Sequence, residues 1–336
     1  KGVSTRDAAG KVQNAIAKQV PWVLGGAADL APSTKTTLSF DFAGVFEPGQ
    51  LADNGEQAKA DAHSFAGRNF HFGIREHAMC AAVSGMALAG LRPFAAGFLI
   101  FTDYARGAMR LAAMMGLPVT YVWTHDSIAL GEDGPTHQPI EQLASLRAMP
   151  GMVVLRPADA NETVEAWRIA IQSTDGPTSL VLSRQSLPTL DRTQYASAAG
   201  VAQGAYVLAD CEGGSPEVLL LATGSEVALC ITAYEQLKND GVHARVVSMP
   251  SWELFERQDA AYQESVLPDA VQARVSIEAG SGLGWERYVG RHGAILAMHS
   301  FGTSAPGKEV MAHFGFDAAH VVGAAQEQLR RHKSKA

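Results

Sequence analysis

No apolar run among the 336 residues reaches the roughly 20 needed to cross a bilayer, and the N-terminal stretch lacks the apolar core of a signal peptide. A soluble, cytoplasmic protein is therefore expected. Cysteine is scarce: Cys80, Cys211 and Cys230 are odd in number, follow no metal-ligand spacing, and read as reduced thiols. Positive charge is also in deficit. Lys and Arg number 27 against 34 acidic residues, giving a net charge of −7, and the only basic run is Arg330-Arg331-His332-Lys333, which suits a solvated helix end. Nonspecific nucleic-acid binding is thereby disfavoured. No Walker sequence or dinucleotide fingerprint occurs, Gly280 to Gly284 reading as a tight turn, and no repeat of solenoid period is seen.

What is present is the rhythm of an α/β enzyme. The length suits two domains of about 130 to 200 residues, and 47% of residues are hydrophobic. Val119 to Trp123, Met152 to Leu155 and Leu180 to Leu182 read as buried parallel strands separated by helical segments. Ile74 to Ala89 reads as a small-residue helix closed by Gly90; Ala158 to Gln172 follows Pro157 with Asp159 and Glu162 in its first turn. From Ser186 to Gly204 the pattern lapses into linker composition.

The expected division is 1–186, a linker at 187–204, and 205–336. In the second part, strands are expected at Val218 to Leu221, Ala244 to Met249, Ala273 to Ile277 and Ala294 to Met298. Ser225 could cap a helix to about Lys238, and terminal helices are expected near Lys308 to Phe314 and Ala318 to Lys333. The fold class is α/β: two doubly wound domains, the first with a mostly parallel sheet and the second smaller. Asp41 to Arg68 reads as a long surface loop, either functional or a tolerated insertion.

The densest polar stretch runs from Thr124 to Pro139 directly behind an apolar strand, so it would emerge at the carboxyl edge of a parallel sheet, where open α/β sheets bind ligands. Its histidines could orient hydroxyls and exchange protons; it could equally be a polar turn whose groups satisfy one another. His125, Asp126, Asp133, His137 and Glu141 could ligate a metal, but their spacing matches no zinc signature.

Four motifs, Gly73-Ile74-Arg75-Glu76-His77-Ala78-Met79, the His125 to Pro139 loop, Arg156-Pro157-Ala158-Asp159-Ala160-Asn161-Glu162 and Leu182-Ser183-Arg184-Gln185, stand in order and register. Together they resemble transketolase over nearly the whole chain. The resemblance implies a pyrimidine-binding domain followed by the family's C-terminal domain, thiamine diphosphate as cofactor, and reversible two-carbon ketol transfer between sugar phosphates, as in the pentose phosphate pathway. It implies that Glu76 contacts N1′ of the aminopyrimidine, that Phe98, Phe101 and Tyr104 surround that ring, and that Asp29 lies beside the cofactor. Arg6, Ser33, His125 and Arg184 would face the substrate phosphate. Asp133 would read the acceptor's hydroxyl configuration, and His125 and His137 would orient hydroxyls or relay protons.

Glu132-Asp133-Gly134 with Asn161 is not the metal and diphosphate motif of thiamine enzymes: Glu132 replaces a required glycine neighbour, and Asn161 belongs to a helix start. The Mg²⁺ or Ca²⁺ ligands are therefore expected in an N-terminal diphosphate-binding domain or subunit that this chain lacks, making it a fragment or a split subunit. A homodimer is expected, since the family places its cofactor across a subunit interface. Dihydroxyacetone synthase, with formaldehyde as acceptor, is the nearest alternative enzyme; deoxyxylulose-phosphate synthase and the pyruvate dehydrogenase beta subunit fit the polar loop less well. A noncatalytic dimerisation or regulatory module is the alternative of another class.

Overall fold

The structure, a computed structural model, describes residues 2–48 and 63–333. In chain order its first part holds α1 (Thr5–Gln19), β1 (Val23–Ala27), α2 (Ala31–Thr34), β2 (Val45–Phe46), β3 (His63–Ser64), β4 (Asn69–His71), α3 (Glu76–Leu88), β5 (Arg92–Phe98), α4 (Thr102–Met114), β6 (Thr120–Thr124), α5 (Gln142–Arg147), β7 (Val153–Leu155), α6 (Ala160–Gln172) and β8 (Thr178–Leu182). The second holds β9 (Tyr206–Ala209), β10 (Val218–Ala222), α7 (Val227–Asn239), β11 (Ala244–Ser248), α8 (Trp252–Glu256), α9 (Ala260–Val266), β12 (Arg274–Ser281), α10 (Glu286–Val289), β13 (Ala294–Met298), α11 (Gly307–His313) and α12 (Ala318–Lys333).

The strands form two sheets, ordered β3-β2-β4-β1-β5-β6-β8-β7 and β13-β12-β10-β11-β9. Every pairing described in the first is parallel, and in the second only β9 runs antiparallel, against β11. β6, β8 and β10 are buried along their full lengths. Such continuous burial follows from helices covering both faces of a parallel sheet. The expected α/β class with a smaller second sheet is what the chain adopts.

Boundaries shift for identifiable reasons. The small-residue helix starts at Glu76 rather than Ile74, whose side chain is exposed. α6 starts at Ala160 because Asp159 caps it, accepting from the Glu162 amide at 2.9 Å. Ser225 does not cap α7: it lies in a 3₁₀ turn, Gly224–Glu226, and its hydroxyl donates to Glu226 at 2.5 Å. Of the expected loop at Asp41 to Arg68, residues 49–62 lie outside the described residues, and its described flanks carry the two-residue strands β2 and β3. The stretch 187–204 pairs back to Val3 through Leu187 and contains a 3₁₀ helix, Ala198–Gln203.

The two sheets share one apolar cluster, in which Leu155, Trp167, Leu180 and Leu182 pack with Val218, Leu220, Ala222 and Val246. Polar groups pin the seam. Arg156, fully buried behind β7, meets Asp126 at 2.9 Å, forms an ion pair with Glu226, and donates to the Thr223 carbonyl at 3.1 Å. Arg147 makes two parallel bonds to Glu278, at 2.7 and 2.8 Å, and Trp285 Nε1 donates to the same carboxylate at 3.0 Å. Burial alone would raise the Glu278 carboxyl, but Arg147 and Arg156 overcome it and hold it at about 2.

Removing one member of such a buried set strands the others uncompensated, which costs about 3 to 5 kcal/mol, whereas an exposed pair is worth at most about 1 kcal/mol. Arg156→Met should therefore lower the urea-unfolding free energy by the larger amount, and Arg330→Ala, whose ion pair with Glu327 is exposed, by no more than the smaller. Equal losses in the two variants would show that the buried network does not hold the sheets together.

Candidate active site

The four central strands β1, β5, β6 and β8 are neighbours in the first sheet, so the residues that follow them meet at one edge. Asp29 follows β1, Phe98 ends β5, His125 follows β6, and Arg184 lies two residues beyond β8. The first turn of α1 brings Arg6 to the same place. A reciprocal pairing fixes it: Ser183 N donates to Thr5 Oγ1 at 2.7 Å and Thr5 N donates to Ser183 Oγ at 3.1 Å. The residues after each partner are Arg6 and Arg184, so the clamp brings two arginines to the same edge, with Arg6 in the field of Arg184.

Arg6 donates to the Ser33 carbonyl at 2.8 Å, and its Nε is buried without a partner among the described residues. Burial lowers its pKa; Asp7 opposes that shift, and the positive field of Arg184 adds to it. Two cations held together around an unpaired donor are suited to an anion. Arg184 reaches the Leu130 carbonyl at 3.4 Å and is otherwise exposed.

His125 is buried and takes a left-handed backbone conformation, with φ of 60°. A non-glycine residue in that region is uncommon and stores strain characteristic of functional positions. Its Nδ1 lies 2.8 Å from Thr124 Oγ1, and its ring packs on Phe98 at a centroid distance of 3.7 Å. Burial, then Arg6, Arg184 and His137, push its pKa down to about 3. At neutral pH it is thus a neutral imidazole that can donate to or accept from a ligand hydroxyl.

His137, half-buried, stands 5.7 Å from Phe101 and 6.3 Å from Phe98 between ring centroids, with Thr136 Oγ1 at 2.9 Å from its Nδ1. Phe98 stacks on Phe101 at 6.0 Å, and Tyr104 joins only through Phe101, its own side chain being 67% exposed. The geometry therefore brings together Arg6, Ser33, Phe98, Phe101, His125, His137 and Arg184, with Tyr104 at the margin. Asp29, Glu76 and Asp133 share the edge by topology, but no described hydrogen bond or ring contact joins them to that cluster. Asp29 is exposed with φ of 60°, Asp133 is exposed on the loop between Gly131 and Gln138, and Glu76 is buried at the start of α3. No described residue hydrogen-bonds the Glu76 carboxylate, which leaves it available to a ligand.

Among the described residues no group of three or more His, Cys, Asp or Glu lies together as a metal site requires. Asp126, one of the possible ligands by sequence, is instead committed to Arg156. Sequence reasoning missed Thr5, Ser183 and Thr124, which position the charged and imidazole groups; the repeated hydroxyl-then-arginine pairs, Thr5-Arg6 and Ser183-Arg184, were the available signal.

The depressed His125 pKa has a consequence for stability. The unfolded chain binds a proton on this ring near pH 6.5, the folded one only near pH 3. Between those values the unfolded state holds more protons, so stability falls as pH is lowered, by up to about 1.4 kcal/mol per pH unit. In denaturant unfolding at pH 7, 6, 5 and 4, His125→Gln should lose less stability across this window than the wild type. Parallel losses in the two proteins would show that His125 is not held neutral.

Two family profiles match the chain: "Transketolase, pyrimidine binding domain" over residues 1–189 and "Transketolase-like TK C-terminal domain" over residues 204–317. The chain is 55% identical over 323 residues to transketolase of Geobacillus stearothermophilus, which covers 96% of this chain and 46% of that relative. It is similar, at TM-score 0.88 and 39% identity, to Pichia stipitis transketolase in complex with sedoheptulose 7-phosphate, over 99% of this chain and 47% of that one. It also resembles an inactive beta4 tetramer of a split-gene transketolase, at TM-score 0.73 and 25% identity, over 98% of this chain and 99% of that one. The chain thus spans about half the length of the curated relatives it matches.

Proposed function

The chain belongs to the transketolase family, and from that premise we propose that it forms the pyrimidine-binding and C-terminal part of an enzyme transferring a two-carbon ketol unit between sugar phosphates. On this reading residues 1–186 are the pyrimidine-binding domain, 187–204 a linker and 205–336 the C-terminal domain. The observation that carries the reading is the pair Arg6 and Arg184 set beside a neutral, strained His125, with a buried donor of Arg6 unpaired. That arrangement suits the phosphate of a hydroxylated substrate.

Thiamine diphosphate, when bound, supplies the carbon nucleophile and electron sink for cleaving a ketose between C2 and C3. The residues present fit its pyrimidine end: Glu76 is buried with no hydrogen-bond partner among the described residues, and Phe98 with Phe101 offers an aromatic wall. Glu76 would hold a proton at N1′, and the rings would exclude water from it. Asp29 and Tyr104 would complete the cofactor's surroundings. Arg6, Arg184 and Ser33 would hold the phosphate, His125 and His137 would orient hydroxyls and move a proton, and Asp133 would meet the acceptor's hydroxyls. The diphosphate and its Mg²⁺ or Ca²⁺ would be held by a separate diphosphate-binding domain or subunit.

The test combines this chain with the diphosphate-binding half of a transketolase, thiamine diphosphate and Mg²⁺. Ketol transfer should appear only in the mixture, and Glu76→Gln should reduce it by orders of magnitude at unchanged melting temperature. Arg6→Ala should cost about 1.5 to 3 kcal/mol of binding to phosphorylated substrates and far less with hydroxypyruvate. Turnover with formaldehyde in preference to aldose phosphates would point to dihydroxyacetone synthase. No turnover with any donor and acceptor would leave a noncatalytic module.

We further propose a homodimer through α3 and α4. Leu88 on α3 and Leu111 and Met114 on α4 are at least half exposed, as are Tyr104 in the first turn of α4, Met115 just after it and Ile74 just before α3. Several large apolar side chains left exposed on two packed helices favour an interaction surface there. Sedimentation at micromolar concentration should give twice the mass of one chain, and Leu111→Glu should halve it. A wild-type chain sedimenting as a monomer would remove the assignment.

A further inference from the structure

The loop that carries Asp133 and His137 is not shaped by the first sheet alone. It lies against residues 299–307, the connection that leaves β13 in the second sheet and enters α11. The contact is backbone on backbone. A Cβ built on Gly131 would stand 2.9 Å from Gly307 N and 3.1 Å from the Ala305 carbonyl oxygen, and one on Gly307 would stand 2.3 Å from the Ala129 carbonyl oxygen. Neither side of this approach has room for a side chain.

Gln138 ties the two segments together. It is 1% exposed, and its Nε2 donates to the Gly131 carbonyl at 3.0 Å and to the Thr303 carbonyl at 2.9 Å, with the Ile128 carbonyl at 3.4 Å. Its Oε1 is buried without a partner among the described residues, and a Cβ on Gly302 would fall 1.8 Å from that oxygen. On the far side of the loop, Ser304 Oγ donates to the Glu132 carbonyl at 2.6 Å. The short span from Glu132 to His137 is therefore held at one end by Ser304 and at the other, through Gln138, by Thr303.

We propose that residues 302–304 of the second sheet's connection are positioning residues for the acceptor side of the site. On this reading they act through the loop rather than by contact with substrate or cofactor. They fix the backbone of residues 131–138, and so fix where Asp133 presents its carboxylate to the aldose hydroxyls and where His137 stands beside it. The second sheet then contributes to acceptor specificity without placing a side chain in the site. The proposal rests on the assignment of Asp133 to the acceptor under the proposed function, but the brace itself can be measured apart from activity.

Two variants test it. Ser304→Ala removes one hydrogen bond from an exposed residue and should leave the fold intact; Gly302→Ala forces the Gln138 amide to move. Hydrogen exchange on the purified chain should show the loop amides bonded to the Gly131 and Gly134 carbonyls, namely Gly134, His137 and Gln138, exchanging faster. The expected acceleration is about two- to tenfold in Ser304→Ala, the worth of one neutral hydrogen bond, and larger in Gly302→Ala. Amides of β6 and β8 should keep their wild-type rates.

In the enzyme reconstituted with the diphosphate-binding half, Ser304→Ala should raise KM for the aldose acceptor severalfold while KM for the ketose donor stays unchanged. Unaltered loop exchange in both variants would overturn the brace, and donor and acceptor KM rising together would overturn its role on the acceptor side. Absence of ketol transfer by the wild-type mixture would instead remove the functional reading, and the exchange experiment would still decide whether residues 302–304 hold the loop.

Discussion

The guanidinium of Arg156 is the constraint on which the relation of the two sheets depends. It is fully buried, and the carboxylates nearest to it come from opposite sides of the seam: Asp126 from the first sheet's polar loop, Glu226 and Glu278 from the second sheet. A cation in that position is tolerable only while all three stay close, because an unpaired buried charge costs several kcal/mol. The same is true of each carboxylate in turn. The seam is thereby specified by geometry as well as by apolar area, and the residue next to Asp126 in the chain is the strained His125.

A second polar set repeats the logic a few residues on. Glu162, buried in the first turn of α6, accepts from the Ala158 amide at 2.8 Å and from the hydroxyls of Tyr206 and Ser248, both at 2.7 Å. Tyr206 opens β9 and Ser248 closes β11, so one carboxylate of the first part is saturated by two strands of the second. In sequence Glu162 reads as an acid favoured by the helix dipole. That reading describes its place on α6 correctly and misses its use, because periodicity reports which helix face is buried but not which partner arrives from 40 or 80 residues later.

The same limit separates what was legible in the site from what was not. His125 was locatable because its polar loop lies directly behind an apolar strand run, and in a parallel sheet such ends face the same edge; Phe98 and Arg184 were marked only through resemblance. Gly73 to Met79 marked Glu76 only through resemblance, since an acid in a first helical turn carries no chemistry by itself. The linker composition around 187–204 concealed a bridge back to Val3, which anchors the start of α1 and with it Arg6. Residues 302–304 gave no local signal at all: Gly-Thr-Ser looks like an ordinary turn, and its contact with Gln138 spans 165 positions.

These arrangements divide the chain's physics in two. The seam between its sheets is satisfied from within, its charges compensated and a shared apolar cluster joining both sheets. Its site is not. Among the described residues Arg6 and Arg184 repel one another across an unpaired donor, none hydrogen-bonds the buried Glu76 carboxylate, and Leu88, Leu111 and Met114 on α3 and α4 stay exposed. Each of these conditions is relieved by a different addition: an anion for the arginines, a proton-sharing heterocycle for Glu76, a second apolar surface for the helices. On the proposed reading these additions are the substrate phosphate, the aminopyrimidine and a second copy of the chain. The groups that would receive them stand at the first sheet's carboxyl edge and on adjoining helices, while the second sheet holds the polar loop still through contacts that contain no reactive side chain.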